Sequence, residues 1–121
     1  MIVEEVFCDL FDKYGEEFNW YLIPLSKAKE TLVEELKREL GKEHILYHKN
    51  IFAVAKCESN DDVLYVTNNE SGEDIYYIFH LTYSSDNVVG FPRYEEFKDI
   101  YAVKNHIENL FIDNCMENNG E

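Results

Sequence analysis

The sequence predicts an α+β fold: a three- or four-stranded, mainly antiparallel sheet packed by about three helices. Three observations lead there. Apolar residues recur at helical spacing near both ends of the chain and once in its middle. Between the last two of these stretches, 50–57, 62–67 and 74–84 alternate or are continuously apolar, as strands are. The connections between the strands are only a few turn-forming residues long, which favours antiparallel hairpins over crossovers. With 121 residues the chain fits one domain, 1–121, able to bury a core without staples. A short frayed acidic tail is expected from about residue 117.

Taken in order, Val3, Val6, Phe7, Leu10, Phe11 and Tyr14 make 2–14 an amphipathic helix, with Gly15 as its stop. A compact apolar segment around Trp20 ends at Pro24 and reads as a short edge strand. Trp20 itself reads first as core, and as a partner contact where exposed. Ser26 is the expected cap of a second helix whose stripe is Ala28, Leu32, Val33, Leu36 and Leu40, with Gly41 as the stop. Glu34, Glu35, Arg38 and Glu39 read as its mixed, solvated face rather than as a catalytic carboxylate pair. His44 and His48 fall in a turn before the first long strand.

The run 74–84 is expected to be a central strand covered on both sides. Ile75, Tyr77, Phe79, Leu81 and Tyr83 take one face; Tyr76, Ile78, His80 and Thr82 take the other. After a loop over 84–97, in which Phe91 and Phe97 close the end of the core, Asp99 caps a last helix. Ile100, Val103, Ile107, Leu110, Phe111 and Cys115 mark its buried side, with Tyr101 at the margin.

Charge sets the functional expectation. Twenty-five acids against eleven lysines and arginines leave a formal charge of -14, which repels nucleic acid and favours a basic partner. A hydrophobic content of 45% and an aromatic content of 15% separate the chain from disordered acidic tails. Cys8, Cys57 and Cys115 are scattered without ligand spacing, so a reduced, cytoplasmic protein with no metal and no cofactor is expected. No segment reads as a signal peptide or membrane span.

The acidic turns carry Asp61, Asp62, Glu70, Glu73 and Asp74, whose spacing does not match a calcium loop. Together with Trp20 and Tyr94 as aromatic contacts they form the expected partner-binding set. His80 reads as a histidine tying the sheet to a loop. The enzyme alternative is a small hydrolase in which His80 meets Ser84, Cys57 or an acid. No nucleophile elbow, phosphate loop or zincin motif accompanies it, so no catalytic residue is assigned.

Trp20, the LIPL segment 22–25, the DVLY segment 62–65, the HLTYS segment 80–84 and Phe91 with Pro92 together resemble segments of a group of small, acidic, largely uncharacterised bacterial proteins. Chains of this size and acidity are similar to immunity proteins of bacterial toxin systems, a resemblance that implies a cognate toxin as partner. Read this way, the chain is a non-catalytic binding protein that neutralises a basic toxin domain through an acidic surface. A general intracellular interaction module is the alternative of the same class.

Overall fold

The computed structural model describes residues 2–27, 29–41, 46–58, 60–68, 72–83 and 93–119. Its element order is α1 (Ile2–Tyr14), β1 (Trp20–Leu22), α2 (Thr31–Leu40), β2 (Phe52–Cys57), β3 (Asp62–Asn68), β4 (Asp74–His80), β5 (Arg93–Phe97) and α3 (Ile100–Asn119). The five strands form one antiparallel sheet in sequence order, β1-β2-β3-β4-β5. The fold is therefore α+β, as the change of periodicity predicts.

Two apolar cores lie on opposite faces of this sheet. On one face α1 contributes Val6, Phe7 and Leu10 and α3 contributes Val103, Ile107 and Phe111, packed on Trp20, Leu64 and Ile78. Lys13 Nζ and Tyr14 Oη each donate to Glu108 at 2.7 Å, which joins the two helices at the rim. On the other face Val33 and Leu36 of α2 pack on Ala53, Val63, Tyr65 and Phe79. Tyr65 is fully buried, and its hydroxyl meets the requirement for a partner by donating to the Leu32 carbonyl at 2.8 Å. Burial holds the Tyr65 phenol protonated by pushing its pKa far up.

Several expectations shift. The sheet has a fifth strand inside the stretch read as a loop. RYEEF lacks the apolar alternation of a half-buried strand because β5 is an edge, where charge is tolerated and guards against unwanted pairing. The middle strand is β3, buried from Asp62 to Thr67, so the run beginning at Asp74 lies beside the centre. Its two faces divide as expected, with Tyr77, Phe79 and Leu81 toward α2 and Tyr76 and Ile78 toward α1 and α3. It ends at His80, however, and Tyr83 takes φ 56°, outside strand geometry.

Ser26 does not cap α2. It sits in a 3-10 turn over Leu25–Lys27, and two successive backbone turns, Lys27 N to Pro24 O and Glu30 N to Lys27 O, delay the helix to Thr31. Asp99 does cap α3, its Oδ1 accepting from Ala102 N at 2.8 Å, and α3 continues to Asn119, into the stretch expected to fray. Tyr101 and Leu110 are exposed rather than buried, because Ile100, Val103, Ile107 and Phe111 already fill the contact stripe. Ala28, His44, Ser84, Phe91, Pro92 and the side chain of Cys115 lie outside the described residues.

Candidate functional site

Strand register builds a polar row at one end of the face that α1 and α3 cover. Trp20 pairs with Cys57; Cys57 lies one step past the Lys56–Val63 pair, beside Asp62; and Asp62 pairs with His80. His80 Nδ1 bonds Asp62 Oδ1. An ionised carboxylate accepts only, so against it the ring donates its Nδ1–H to Asp62 and turns Nε2 away from it. A second imidazole–carboxylate pair stands next to the first: His106 Nε2 of α3 lies 2.8 Å from Glu95 Oε2 of β5. Glu95 pairs with Ile78, two residues before His80 on β4, and so is its diagonal neighbour on the same face. The two pairs line a cleft of about 410 Å³ whose apolar wall includes Trp20, Leu110 and Phe111.

A histidine oriented by a carboxylate has the form of a general base with its orienting group. Catalysis by this dyad needs a nucleophile or substrate proton within reach of Nε2. Cys57 is on the far side of Asp62, two strand spacings or roughly 10 Å from His80. His80 thus meets an acid, one of the three partners considered for it, and that acid is on the neighbouring strand rather than in a loop. The side chain is 43% exposed at the strand end, not embedded in the core. Among the described residues no group of three or more histidine, cysteine or acidic side chains is placed to hold a metal ion.

The opposite face carries a different arrangement. One row crosses the sheet from edge to edge as Tyr21, Lys56, Val63, Phe79 and Tyr94. Tyr94 stacks on Phe79 at 4.8 Å and meets Tyr77 edge-on at 5.7 Å, while 46% of its surface stays exposed. Glu96, paired with Tyr77, flanks it. Burial, then the Glu96 charge and Tyr94, raises the Tyr77 pKa. Further along β4 and β5, Glu73, Asp74 and Glu96 with Lys98 edge a shallow hollow.

Sequence spacing missed one buried carboxylate altogether. Glu39 is 6% exposed and accepts from Thr82 N at 2.8 Å, Thr82 Oγ1 at 2.9 Å and Tyr83 N at 3.0 Å. These bonds tie the end of α2 to the chain leaving β4 and hold Tyr83 at its positive φ. Burial works against the Glu39 charge, but the Glu35 carboxyl and these donors together take its pKa below the usual carboxylate range. Glu35 goes the other way: burial and the Glu39 charge raise it against the opposing pull of Arg38. The opposite directions follow from geometry: Glu39 faces three donors of Thr82 and Tyr83, whereas Glu35 meets the Glu39 charge on one side and Arg38 on the other.

The expected partner-binding residues do not form one patch. Asp62 is corrected from a presented acid to a buried one, because its carboxylate faces inward to His80. Trp20 takes the first of its two expected readings, core, at 5% exposed and packed on Phe7, and so is not presented as a partner contact. Asp61, Glu73, Asp74 and Tyr94 are exposed; Glu70 lies outside the described residues. Asp61 is at one end of the β3–β4 hairpin and Asp74 at the other, roughly 20 Å away. Tyr94 is on the face of Tyr77 and Phe79, whereas Asp74 alternates onto the face of Tyr76 and Ile78, five residues along β4 from the Tyr94 partner Phe79. Comparisons with protein-family models, curated proteins and solved structures returned no match.

Proposed function

We propose that the protein is a non-catalytic binding protein that engages a basic protein, with a toxin domain acting on nucleic acid as the intended class of partner. The observation that carries this reading is Tyr94: an exposed ring held rigid by stacking on buried Phe79, with the exposed Glu96 two residues on along the same face of β5. An aromatic anchor of fixed geometry binds at low entropic cost, and surrounding acid selects a basic counterpart. The formal charge of -14 adds long-range attraction.

The test is competition at physiological salt: a tagged chain captures a partner, untagged chain displaces it saturably, and Tyr94→Ala weakens the recovered complex by about tenfold or more. Glu4→Gln, on an exposed position of α1, is expected to change affinity by less than about twofold. Equal losses from both variants would reduce the interaction to bulk charge. Absence of a saturable partner, together with turnover of a small molecule that disappears in His80→Ala, would replace binding by hydrolysis.

A further inference from the structure

We propose that the outer edge of β5 is a strand-addition site for an extended basic segment of a partner protein. The inference rests on the reading of the chain as a binder of basic proteins, and it names the backbone contact that brings Tyr94 and Glu96 against the partner.

β5 ends the sheet: β4 pairs with one of its edges, and among the described residues no strand pairs with the other. Along a strand, successive residues turn their N–H and C=O groups to opposite edges. One of Glu95 and Glu96 therefore directs both groups away from β4, and no backbone bond from another described segment reaches either residue. Residues 93–96 are all exposed, so this edge is open along most of its length of roughly 17 Å. The opposite edge of the sheet is unlike it. β1 has three residues, its tryptophan is buried, and Pro24, which has no N–H to donate, follows two residues beyond its end.

An open edge accepts an extended chain through main-chain hydrogen bonds, so side chains decide which chain is admitted. Alternation puts one acid on each face of β5, Glu95 on the face of Ile78 and Glu96 on the face of Tyr77. Glu95 is already bonded to His106, so Glu96 carries the recognition. Exposed Tyr94, on the same face, supplies a ring for the stem of a lysine or the plane of an arginine. Arg93 and Lys98 bracket the two acids, and an incoming strand therefore matches best with its cations opposite the middle of β5. A second copy of this chain is disfavoured. In full antiparallel overlap Glu95 would oppose Glu95, and each copy carries a formal charge of -14. A basic strand meets neither obstacle.

The probe is an acetylated and amidated heptapeptide of alternating lysine and valine, titrated at physiological salt and followed by amide exchange. Binding is expected to be saturable and to slow exchange within 95–97 by about tenfold or more, with β1 unchanged. The same peptide N-methylated at two adjacent residues keeps its charge but loses a donor on each edge, and is expected to bind about tenfold more weakly. Glu96→Lys is expected to weaken binding of the parent peptide by about tenfold, and Glu4→Lys, the same charge change on exposed α1, by less than about twofold. Equal binding of the methylated peptide, equal effects of the two charge reversals, protection spread over other exposed amides, or dimerisation of the chain alone through β5 overturns the proposal. The outcome is separable from that of the partner reading. A Tyr94→Ala loss in the recovered complex without peptide protection of β5 overturns strand addition and leaves the aromatic anchor in place; protection of β5 without any recovered partner does the reverse.

Discussion

Glu39 is the residue on which local conformation depends most. Glu39→Ala removes the acceptor for two consecutive backbone N–H groups while leaving Tyr83 at positive φ, and is expected to cost about 2–3 kcal/mol in denaturant unfolding. Its pH dependence has a definite sign. With a folded-state pKa lowered by its donors, Glu39 stabilises the fold above the ordinary carboxylate range, and that contribution is lost as pH falls through the lowered value. Glu35, raised by burial, stabilises at low pH and loses its contribution as pH rises through its folded value. Glu39→Gln is therefore expected to flatten the acid limb of a stability–pH profile. The measurement is unfolding free energy from pH 7 down to about 3, and an unchanged limb would mean that Glu39 carries no linked charge. Phe79 makes a simpler case. Fully buried between Tyr65 and Tyr94, it is expected to cost about 3–5 kcal/mol on truncation to alanine. A loss below about 1 kcal/mol would place it outside the core.

Among the elements, α3 and β5 illustrate opposite ways in which a segment is specified. The start of α3 is set locally by Asp99, whose carboxylate satisfies an N–H of the first turn. Asp99→Ala is expected to lower stability by about 1 kcal/mol and to increase amide exchange in the first turn of α3. Exchange that stays unchanged there would show that packing of Ile100 and Val103 alone holds the helix start. β5 has no such local instruction. Its pairing with β4, Tyr94 opposite Phe79 and Phe97 opposite Tyr76, comes from the partner strand and from stacking across it. A charged edge strand of this kind forms because its neighbour offers a ladder, and its own acids then keep copies of this chain away.

At the scale of the molecule, one sheet separates two cores and ends at β5, where two candidate surfaces meet: the aromatic side around Tyr94 and the outer edge of the strand. The formal charge of -14 acts on both. For the proposed basic partner, raising ionic strength from about 0.05 to 0.5 M is expected to slow association by about tenfold or more while dissociation changes by less than about threefold. Stopped-flow mixing with the recovered partner checks this. A salt effect carried mainly by dissociation would place the charges inside the contact rather than around it.

The helices and the three longest strands were legible in the sequence because their evidence is local. The apolar spacing of α1, its stop at Gly15 with φ 63°, the cap at Asp99 and the two-faced run from Asp74 are all written within a few residues of where they act. By itself the sequence also determined the division of β4, with Phe79 turned to one core and Ile78 to the other. Only the tertiary structure decided that Asp62 faces inward to His80, that Glu95 meets His106, and that Glu39 clamps the exit of β4. In each case a polar side chain is satisfied by a group 11 to 44 residues away. Glu39 lies next to an apolar stripe and Asp62 in an acidic turn, so helical spacing and turn composition assign both to solvent. The structure reverses both assignments because a carboxylate can be buried where donors from another segment replace water, and the position of those donors is set by sheet register and helix packing.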